Sequence, residues 1–311
     1  MKFIEYTGEF GSEVGTFVPF VNYLKKSGQL INPGIKIRTY TGMKPYYFFL
    51  DDNDIEFKDE RRTWIHPMGR VFLPPNLRSD DDLFAMKHSQ PINMFDPPLF
   101  YTHYKKYPEL FPGEKLLLIQ NKYNSEWGGL PVNYIDVPLL ELLLKKIRKE
   151  FKIIYIRTND FTLKEYSSDD NEYMSYKLDD KELIKAINNG DRVDFERSII
   201  LIEELYQQTN KQYDFNTLKC ILHSQATATI STIGGFNFFT AYFPCQHIIY
   251  KVDTPPIYGK EFYQNQHDML TSPSQYSTQQ LDTPVLHKHL NTHDIIFVTD
   301  KQELVDVASK L

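Results

Sequence analysis

The chain has 311 residues, 41% of them hydrophobic and 24% charged, and carries a net charge of −6 at pH 7. This composition excludes disordered, collagen-like and coiled-coil chains, and the acidic balance provides no chain-wide basic field that would recruit nucleic acid. Two cysteines, Cys220 and Cys245, are too few for a disulfide framework and favour a reducing compartment. Because we find neither a signal-peptide pattern nor an apolar run of about 20 residues, we expect a cytoplasmic protein without a transmembrane segment.

The first 50 residues predict a strand, a Gly-rich loop, a helix and two further strands. Lys2–Tyr6 predict the first strand, and apolar residues at helical spacing then predict a helix that ends at Gly28. Ile35–Tyr40 and Pro45–Leu50, rich in Ile, Tyr and Phe, predict the next two strands. Residues 51–114 contain a charge run and repeated prolines, which predict wrapped loops and short helices.

A second regular block begins at Glu114 and has the pattern of a parallel sheet. The apolar stretches Lys115–Lys122 and Lys152–Arg157 are typical of strands that are buried on both faces. Between them, a helix with Pro138 in its first turn would form the right-handed crossover of a parallel pair.

The rest of this block continues the alternation of helices and strands. Residues 179–189 and 195–209 have helical patterns, and residues 226–252 predict a second strand–helix–strand unit. A last strand and helix fall within residues 294–311.

We therefore predict an α/β protein with two Rossmann-like lobes that face a cleft. Residues 1–112 would form the N-terminal lobe, with proline-rich loops. Residues 113–311 would form the C-terminal lobe, built on a doubly wound parallel sheet.

Polar residues follow three predicted strands of the C-terminal lobe, at the sheet edge where open parallel sheets bind ligands. Lys122 and Arg157 would bring two cations to this edge. Gly234 and Gly235 would let the backbone approach an anion, although such a pair is also common in tight turns. Together these features predict a diphosphate site formed by the following residues: Asn121, Lys122, Arg157, Ser231, Gly234, Gly235 and Asn237.

The sequence does not contain the usual motifs of several enzyme classes. It has no G-x-G-x-x-G, no P-loop, no H-E-x-x-H, no C-x-x-C and no G-x-S-x-G. We therefore predict no nicotinamide or flavin cofactor and no resident metal ion.

Three stretches resemble GT-B-type glycosyltransferases, which use nucleotide-sugar donors. Residues 8–28 resemble the first loop and helix of the acceptor lobe, and residues 116–129 with 153–160 resemble the strands that open the donor lobe. Residues 228–252 resemble the diphosphate-binding unit of capsule and surface-polysaccharide enzymes and of fucosyltransferase-like and heptosyltransferase-like proteins. The resemblance implies a hexosyl- or deoxyhexosyltransferase of polysaccharide biosynthesis, with a nucleotide-sugar donor in the C-terminal lobe and a glycan or glycoconjugate acceptor at the N-terminal lobe.

An inverting transfer requires a base that takes the proton of the acceptor hydroxyl. Glu9 and Glu13, in the loop after the first strand, and Glu126, after Lys115–Lys122, are the candidates. Glu9 or Glu13 would serve equally well as a carboxylate at the start of the following helix. The E-x7-E motif of many retaining members is not evident, which favours inversion and leaves retention open. Two cations and a helix N-terminus to neutralise the leaving diphosphate favour transfer without a metal ion.

Two alternatives remain open from the sequence. Asp52 and Asp54 resemble the Asp-x-Asp pair of GT-A enzymes, whose carboxylates hold Mn²⁺ or Mg²⁺ on the donor diphosphate. The other alternative is a sugar- or nucleotide-binding protein that binds without turnover.

Overall fold

A computed structural model describes most of the chain, including the core of both predicted lobes. The described residues are 2–7, 10–31, 35–58, 70–72, 96–123, 134–157, 178–192, 195, 198–232, 236–251 and 295–311. They form two separate sheets, one from each half of the sequence.

The first sheet has four strands in the order β3-β2-β1-β4. They are β1 (Lys2–Thr7), β2 (Ile35–Tyr40), β3 (Ile55–Lys58) and β4 (Arg70–Phe72). The first three strands are parallel, and β4 runs antiparallel to β1.

A continuous helical segment crosses over from β1 to β2. It consists of α1 (Phe10–Ser12), a π-helix (Glu13–Phe17) and α2 (Val18–Lys26). The segment ends as predicted, because Gly28 has a φ of 76°, a left-handed conformation that glycine adopts without steric cost.

The predicted strand Pro45–Leu50 is wrong. Lys44–Tyr47 form a 3₁₀-helix with Pro45 in its first turn. Proline cannot donate a hydrogen bond to a sheet and its φ suits the start of a helix. Tyr46 and Tyr47 are fully buried, so these aromatic residues fill the core beside the sheet instead of forming a strand of it.

The second sheet is parallel throughout and has the order β10-β9-β8-β5-β6-β7. Its strands are β5 (Lys115–Asn121), β6 (Phe151–Arg157), β7 (Ile199–Leu201), β8 (Ala228–Thr232), β9 (Gln246–Tyr250) and β10 (Ile295–Val298). The chain runs outward from β5 through β6 to β7, and then outward on the other side from β8. This is the strand order of the doubly wound Rossmann fold, and it confirms the predicted fold class.

Helices cover both faces of the second sheet. The remaining α-helices of the described ranges are α3 (Phe100–Tyr104), α4 (Val137–Lys146), α5 (Asp180–Asn188), α6 (Ile202–Gln208), α7 (Phe215–Gln225), α8 (Phe236–Thr240) and α9 (Lys301–Ala308). Helices α4, α5 and α9 share one core with the sheet, and α6 and α7 share another. None of the helices in the described ranges is both long and apolar enough to cross a membrane.

The predicted helix over residues 195–209 is wrong in its first half. Ile199–Leu201 form β7, which pairs with β6 through Ile153 and Ile199, and the helix begins only at Ile202. A short run of buried aliphatic residues satisfies either pattern, and pairing with β6 decides between them.

The two lobes share an apolar core across their interface. The Phe10 and Phe236 rings stack at a centroid distance of 5.8 Å. The ring centroids of Phe100 in α3 and Tyr242 are 4.6 Å apart. Asn216 of α7 donates a hydrogen bond to the carbonyl of Gly42 (2.9 Å). The domain boundary at residues 112 and 113 stays a prediction. So does the cleft, because several loops that would border it lie outside the described residues.

Candidate functional site

The strand order of the second sheet reverses between β5 and β8, and this is where ligands bind in doubly wound folds. At the carboxyl ends of these strands, Gln120 of β5 stands opposite Ser231 of β8. On the other side of β5, Asn121 stands opposite Arg157 of β6. The structure therefore brings the described members of the predicted diphosphate site to one edge of the sheet.

Asn121 is buried and holds the backbone that leads into α4. Its side-chain oxygen accepts from the Ile135 N–H (2.8 Å), and its side-chain nitrogen donates to the Ile135 carbonyl (2.8 Å) and to the Tyr155 hydroxyl (3.1 Å). With its amide engaged in this way, Asn121 shapes the strand end.

Arg157 is buried in an ion pair. Its guanidinium lies 2.5 Å from the Asp180 carboxylate, which also accepts a hydrogen bond from the Tyr155 hydroxyl. Burial raises the pKa of Tyr155 well above its usual value, and the nearby Asp180 charge adds to that rise. The arginine therefore reaches the sheet edge with its charge balanced, and its fork of five N–H donors is held in one orientation.

Asn237 ties α8 to the end of β8. Its side-chain nitrogen donates to the Ser231 hydroxyl oxygen (2.8 Å), and both residues are buried. Lys122 follows β5 and is half-buried. Gly234 and Gly235 lie outside the described residues, so their role stays a prediction.

Gln120 is a candidate that the sequence analysis did not include in the predicted site. It is only 2% exposed, and neither its side-chain nitrogen nor its side-chain oxygen has a hydrogen-bond partner among the residues that the structure describes. The sequence did indicate this residue, because an uncharged polar side chain near the end of an apolar strand needs a hydrogen-bond partner.

Glu13 is fully buried in the π-helix. It accepts a hydrogen bond from the Tyr47 hydroxyl (2.7 Å) and another from the Thr39 hydroxyl. The helical segment begins at Phe10, so Glu13 lies inside it, not at its start. Single-turn π-helices occur often at functional sites. The other candidate bases, Glu9 and Glu126, lie outside the described residues.

The π-helix packs against the second lobe close to the carboxyl end of β8. The Tyr242 hydroxyl, just after α8, donates a hydrogen bond to the carbonyl of Val14 (2.7 Å). The Phe10 ring, before the π-helix, stacks on Phe236, the first residue of α8. The helical segment that contains Glu13 thus packs on α8, whose Asn237 contacts Ser231, while the hydrogen bonds from the Thr39 and Tyr47 hydroxyls to the Glu13 carboxylate stay within the N-terminal lobe.

Asp52 and Asp54 lie in a short 3₁₀-helix (Asp52–Asp54) that precedes β3. The Asp52 carboxylate is 91% exposed and pairs with Lys44 at 2.5 Å. Among the residues that the structure describes, no group of three or more His, Cys, Asp or Glu side chains is placed to hold a metal ion.

A cavity of about 420 Å³ lies at the opposite end of the second sheet, beside the start of β5 and β9. His223 of α7 borders it and is buried, with Nδ1 2.7 Å from the Lys219 carbonyl. Nε2 has no hydrogen-bond partner in the described ranges. Burial lowers the pKa of His223 to about 3. Because Nδ1 faces a carbonyl, the proton of the neutral ring is on Nδ1 and Nε2 is a bare acceptor.

No protein-family model matches the chain, and no curated protein matches it in sequence. Solved structures with a similar arrangement include the E. coli ADP-heptose LPS heptosyltransferase II (TM-score 0.47, 10% identity, 100% of this chain and 96% of that one). They also include the E. coli heptosyltransferase WaaC with ADP (TM-score 0.43, 11% identity, 82% and 89%). The wall teichoic acid polymerase TagF is more distant (TM-score 0.32, 10% identity, 99% and 87%). Heptosyltransferase-like proteins are among those that the sequence resembles.

Proposed function

We propose that the protein is a glycosyltransferase that moves a sugar from a nucleotide-sugar donor to a hydroxyl of a glycan or glycoconjugate. One observation carries the proposal. The carboxyl ends of the central strands of the second sheet, which has the Rossmann strand order, carry buried polar residues. The helical segment that contains Glu13 packs on α8, beside these strand ends. The packing of this segment on α8 supports a donor site and a candidate base on neighbouring elements of the two lobes.

The donor diphosphate would lie beyond the carboxyl ends of β5, β6 and β8. Lys122 and Arg157 supply positive charge there, and Asn237 and Ser231 supply polar groups; Gly234 and Gly235 would allow close approach of the backbone. Because Asp180 already balances Arg157, Lys122 would meet most of the charge that develops on the leaving diphosphate, and the Arg157 guanidinium would add hydrogen-bond donors. We therefore propose that the transfer needs no metal ion.

In the transfer, the acceptor oxygen attacks the anomeric carbon from the side opposite the diphosphate. The new C–O bond forms while the bond from the anomeric carbon to the phosphate oxygen breaks, and the nucleoside diphosphate leaves with that electron pair. The proton of the acceptor hydroxyl passes to a carboxylate, for which Glu13, Glu9 and Glu126 are the candidates. One such displacement inverts the anomeric configuration. The sugar is proposed to be a hexose or deoxyhexose, and the pathway to be polysaccharide biosynthesis in the cytoplasm.

The test is incubation of the protein with a panel of UDP-, GDP-, ADP- and CDP-sugars and a mixed glycan acceptor, with detection of released nucleoside diphosphate. We expect release from at least one donor, and equal release in EDTA. Release that is lost in EDTA and restored by Mn²⁺ would favour the GT-A alternative with Asp52 and Asp54. Absence of both release and binding across the panel would overturn the proposal.

The ion pair between Arg157 and Asp180 favours a second candidate, a protein that binds nucleotide sugars without turning them over. An arginine whose charge is already balanced by a carboxylate stabilises a developing negative charge less than an unpaired arginine would. This candidate predicts binding by calorimetry without release of nucleoside diphosphate, so the same panel separates the two functions.

A further inference from the structure

Within the described part of the chain, Gln120 is a side chain whose whole polar group is buried and unpaired. Both amide atoms lack a hydrogen-bond partner among the described residues, while Gln120 itself is only 2% exposed. Its neighbour Asn121 differs, because each of its amide atoms has a partner. Burying an amide without partners is unfavourable, so such a group in a native protein calls for an explanation.

The position of Gln120 points to a ligand. Leu116 and Leu118 of β5 pack with α6 and α7, and side chains alternate along a strand, so Gln120 lies on the α7 face of the sheet. Ala228 and Ile230 of β8 pack on the opposite face, which places Ser231 on the α7 face as well.

Gln120 and Ser231 are paired across the two central strands, so their side chains are neighbours. Ser231 in turn contacts Asn237 at the start of α8. The N-terminal lobe packs against this same face through Ile221 of α7 and Phe239 of α8. The unpaired amide therefore belongs to the interface that we assign to the donor.

The chemistry of a carboxamide narrows what it can bind. Its nitrogen donates and its oxygen accepts, so a group that satisfies both must itself accept and donate. A diphosphate only accepts and would leave the oxygen unpaired. Two neighbouring hydroxyls of a sugar do both, because one donates to Oε1 while the other accepts from Nε2.

We propose that Gln120 binds a pair of adjacent sugar hydroxyls of the nucleotide-sugar donor. This inference rests on the proposed function. The hydroxyls belong either to the ribose or to the transferred sugar, and these two sources share the same chemistry.

The test compares the parent with Gln120→Met, which keeps the side-chain length and removes both polar atoms. For the donor identified by the panel, we expect calorimetry to show at least about tenfold weaker binding, which is the effect of losing one or two hydrogen bonds. The melting temperature should stay equal or rise, because the unpaired amide is gone. Loss of affinity without loss of stability is a result that a purely internal role of Gln120 would not produce.

Leu118→Met is the matched control, since it changes the same strand and face without touching the amide, and it should bind the donor like the parent. Should Gln120→Met fail to fold, Gln120→Leu replaces it in the same comparison. Equal affinity of parent and Gln120 variant would overturn the inference while leaving the proposed function in place. If the parent binds no nucleotide sugar at all, the proposed function fails first and this inference fails with it.

A comparison of ligands that lack one of the two sugars shows whether the hydroxyls belong to the ribose or to the transferred sugar. If they belong to ribose, the substitution weakens the nucleoside diphosphate as much as the nucleotide sugar, and the 2′-deoxy nucleoside diphosphate, which keeps one of the two hydroxyls, shows a smaller difference between parent and variant. If they belong to the transferred sugar, only the nucleotide sugar is weakened.

Discussion

The Tyr242 hydroxyl donates a 2.7 Å hydrogen bond to the carbonyl of Val14, and this bond joins the two lobes next to Glu13. Both residues are buried, and Tyr242 follows α8, whose Asn237 is tied to the end of β8. The bond therefore connects the backbone of the π-helix that carries a candidate base to the element that borders the proposed donor site.

Tyr242→Phe removes this bond and keeps the ring. We expect a loss of about 1 kcal/mol in the free energy of unfolding, because the Val14 carbonyl is left without that donor, and a fall of about 2 °C in melting temperature. Turnover should fall more than donor affinity if the bond positions Glu13. Tyr250→Phe is the control, since the described residues provide no hydrogen bond to the Tyr250 hydroxyl. Equal melting temperatures for Tyr242→Phe and the parent would contradict the prediction.

Glu13→Gln tests the candidate base. Glutamine keeps an acceptor for the Tyr47 and Thr39 hydroxyls but cannot take a proton from the acceptor sugar. We expect turnover to fall by about 10²–10⁴-fold, with donor affinity nearly unchanged, as measured by nucleoside diphosphate release and calorimetry. Glu56→Gln, in a partly exposed pair with Arg38 on the first sheet, is the control and should retain turnover.

If Glu13→Gln retains full turnover, the base is elsewhere. Glu9→Gln and Glu126→Gln then take the same test, and full turnover in all three variants would remove the carboxylate proposal. A variant that loses stability and keeps its turnover per folded molecule would assign that glutamate to structure alone.

The alternation of apolar strands and amphipathic helices predicts most of the second lobe because each element has a strong local pattern. Lys115–Lys122 and the helix with Pro138 match β5 and α4 closely, since uniform burial and a proline in the first turn are local signals. Short elements are different. Ile199 lies in a run that fits either strand or helix, and pairing with β6 decides between them. Tyr46 lies in an aromatic run that suits a strand, but Pro45 before it favours the start of a helix.

The site shows a similar division. Parallel topology alone brings Asn121 and Arg157 to one edge, so their proximity could be predicted from the sequence. The partners of these two residues could not be predicted, because Asp180 lies more than twenty residues after Arg157 and Ile135 lies fourteen residues after Asn121. Gln120 stands at the same strand end but was not included in the predicted site, since only the folded structure reveals that its amide has no partner among the described residues.

Removing one partner of the ion pair between Arg157 and Asp180 should lower the free energy of unfolding markedly. Asp180→Asn removes the carboxylate that pairs with the buried Arg157 guanidinium, and we expect a loss of about 3 kcal/mol in the free energy of unfolding. Combining it with Arg157→Met should recover part of that loss. Urea denaturation of the two single variants and the double variant measures the coupling. Strictly additive losses would contradict a direct ion pair.

His223 should make the fold sensitive to mild acid. Burial lowers the pKa of His223 to about 3, and the unfolded chain has the ordinary value of about 6.5. The unfolded state therefore binds the proton first, so the stabilising effect of the neutral ring is complete above about pH 6.5 and is lost progressively as the pH falls toward 3. Between pH 7 and pH 5 this amounts to roughly 2 kcal/mol.

His223→Phe, whose ring would join Phe239 and Phe243, removes this titration and should lose less stability over that interval in urea denaturation. His103→Phe is the control, because His103 is only partly buried and its pKa is lowered less by burial and by Lys106, so its pH profile should stay close to that of the parent. If the parent and His223→Phe lose the same free energy of unfolding between pH 7 and pH 5, His223 does not hold the neutral state that its burial implies.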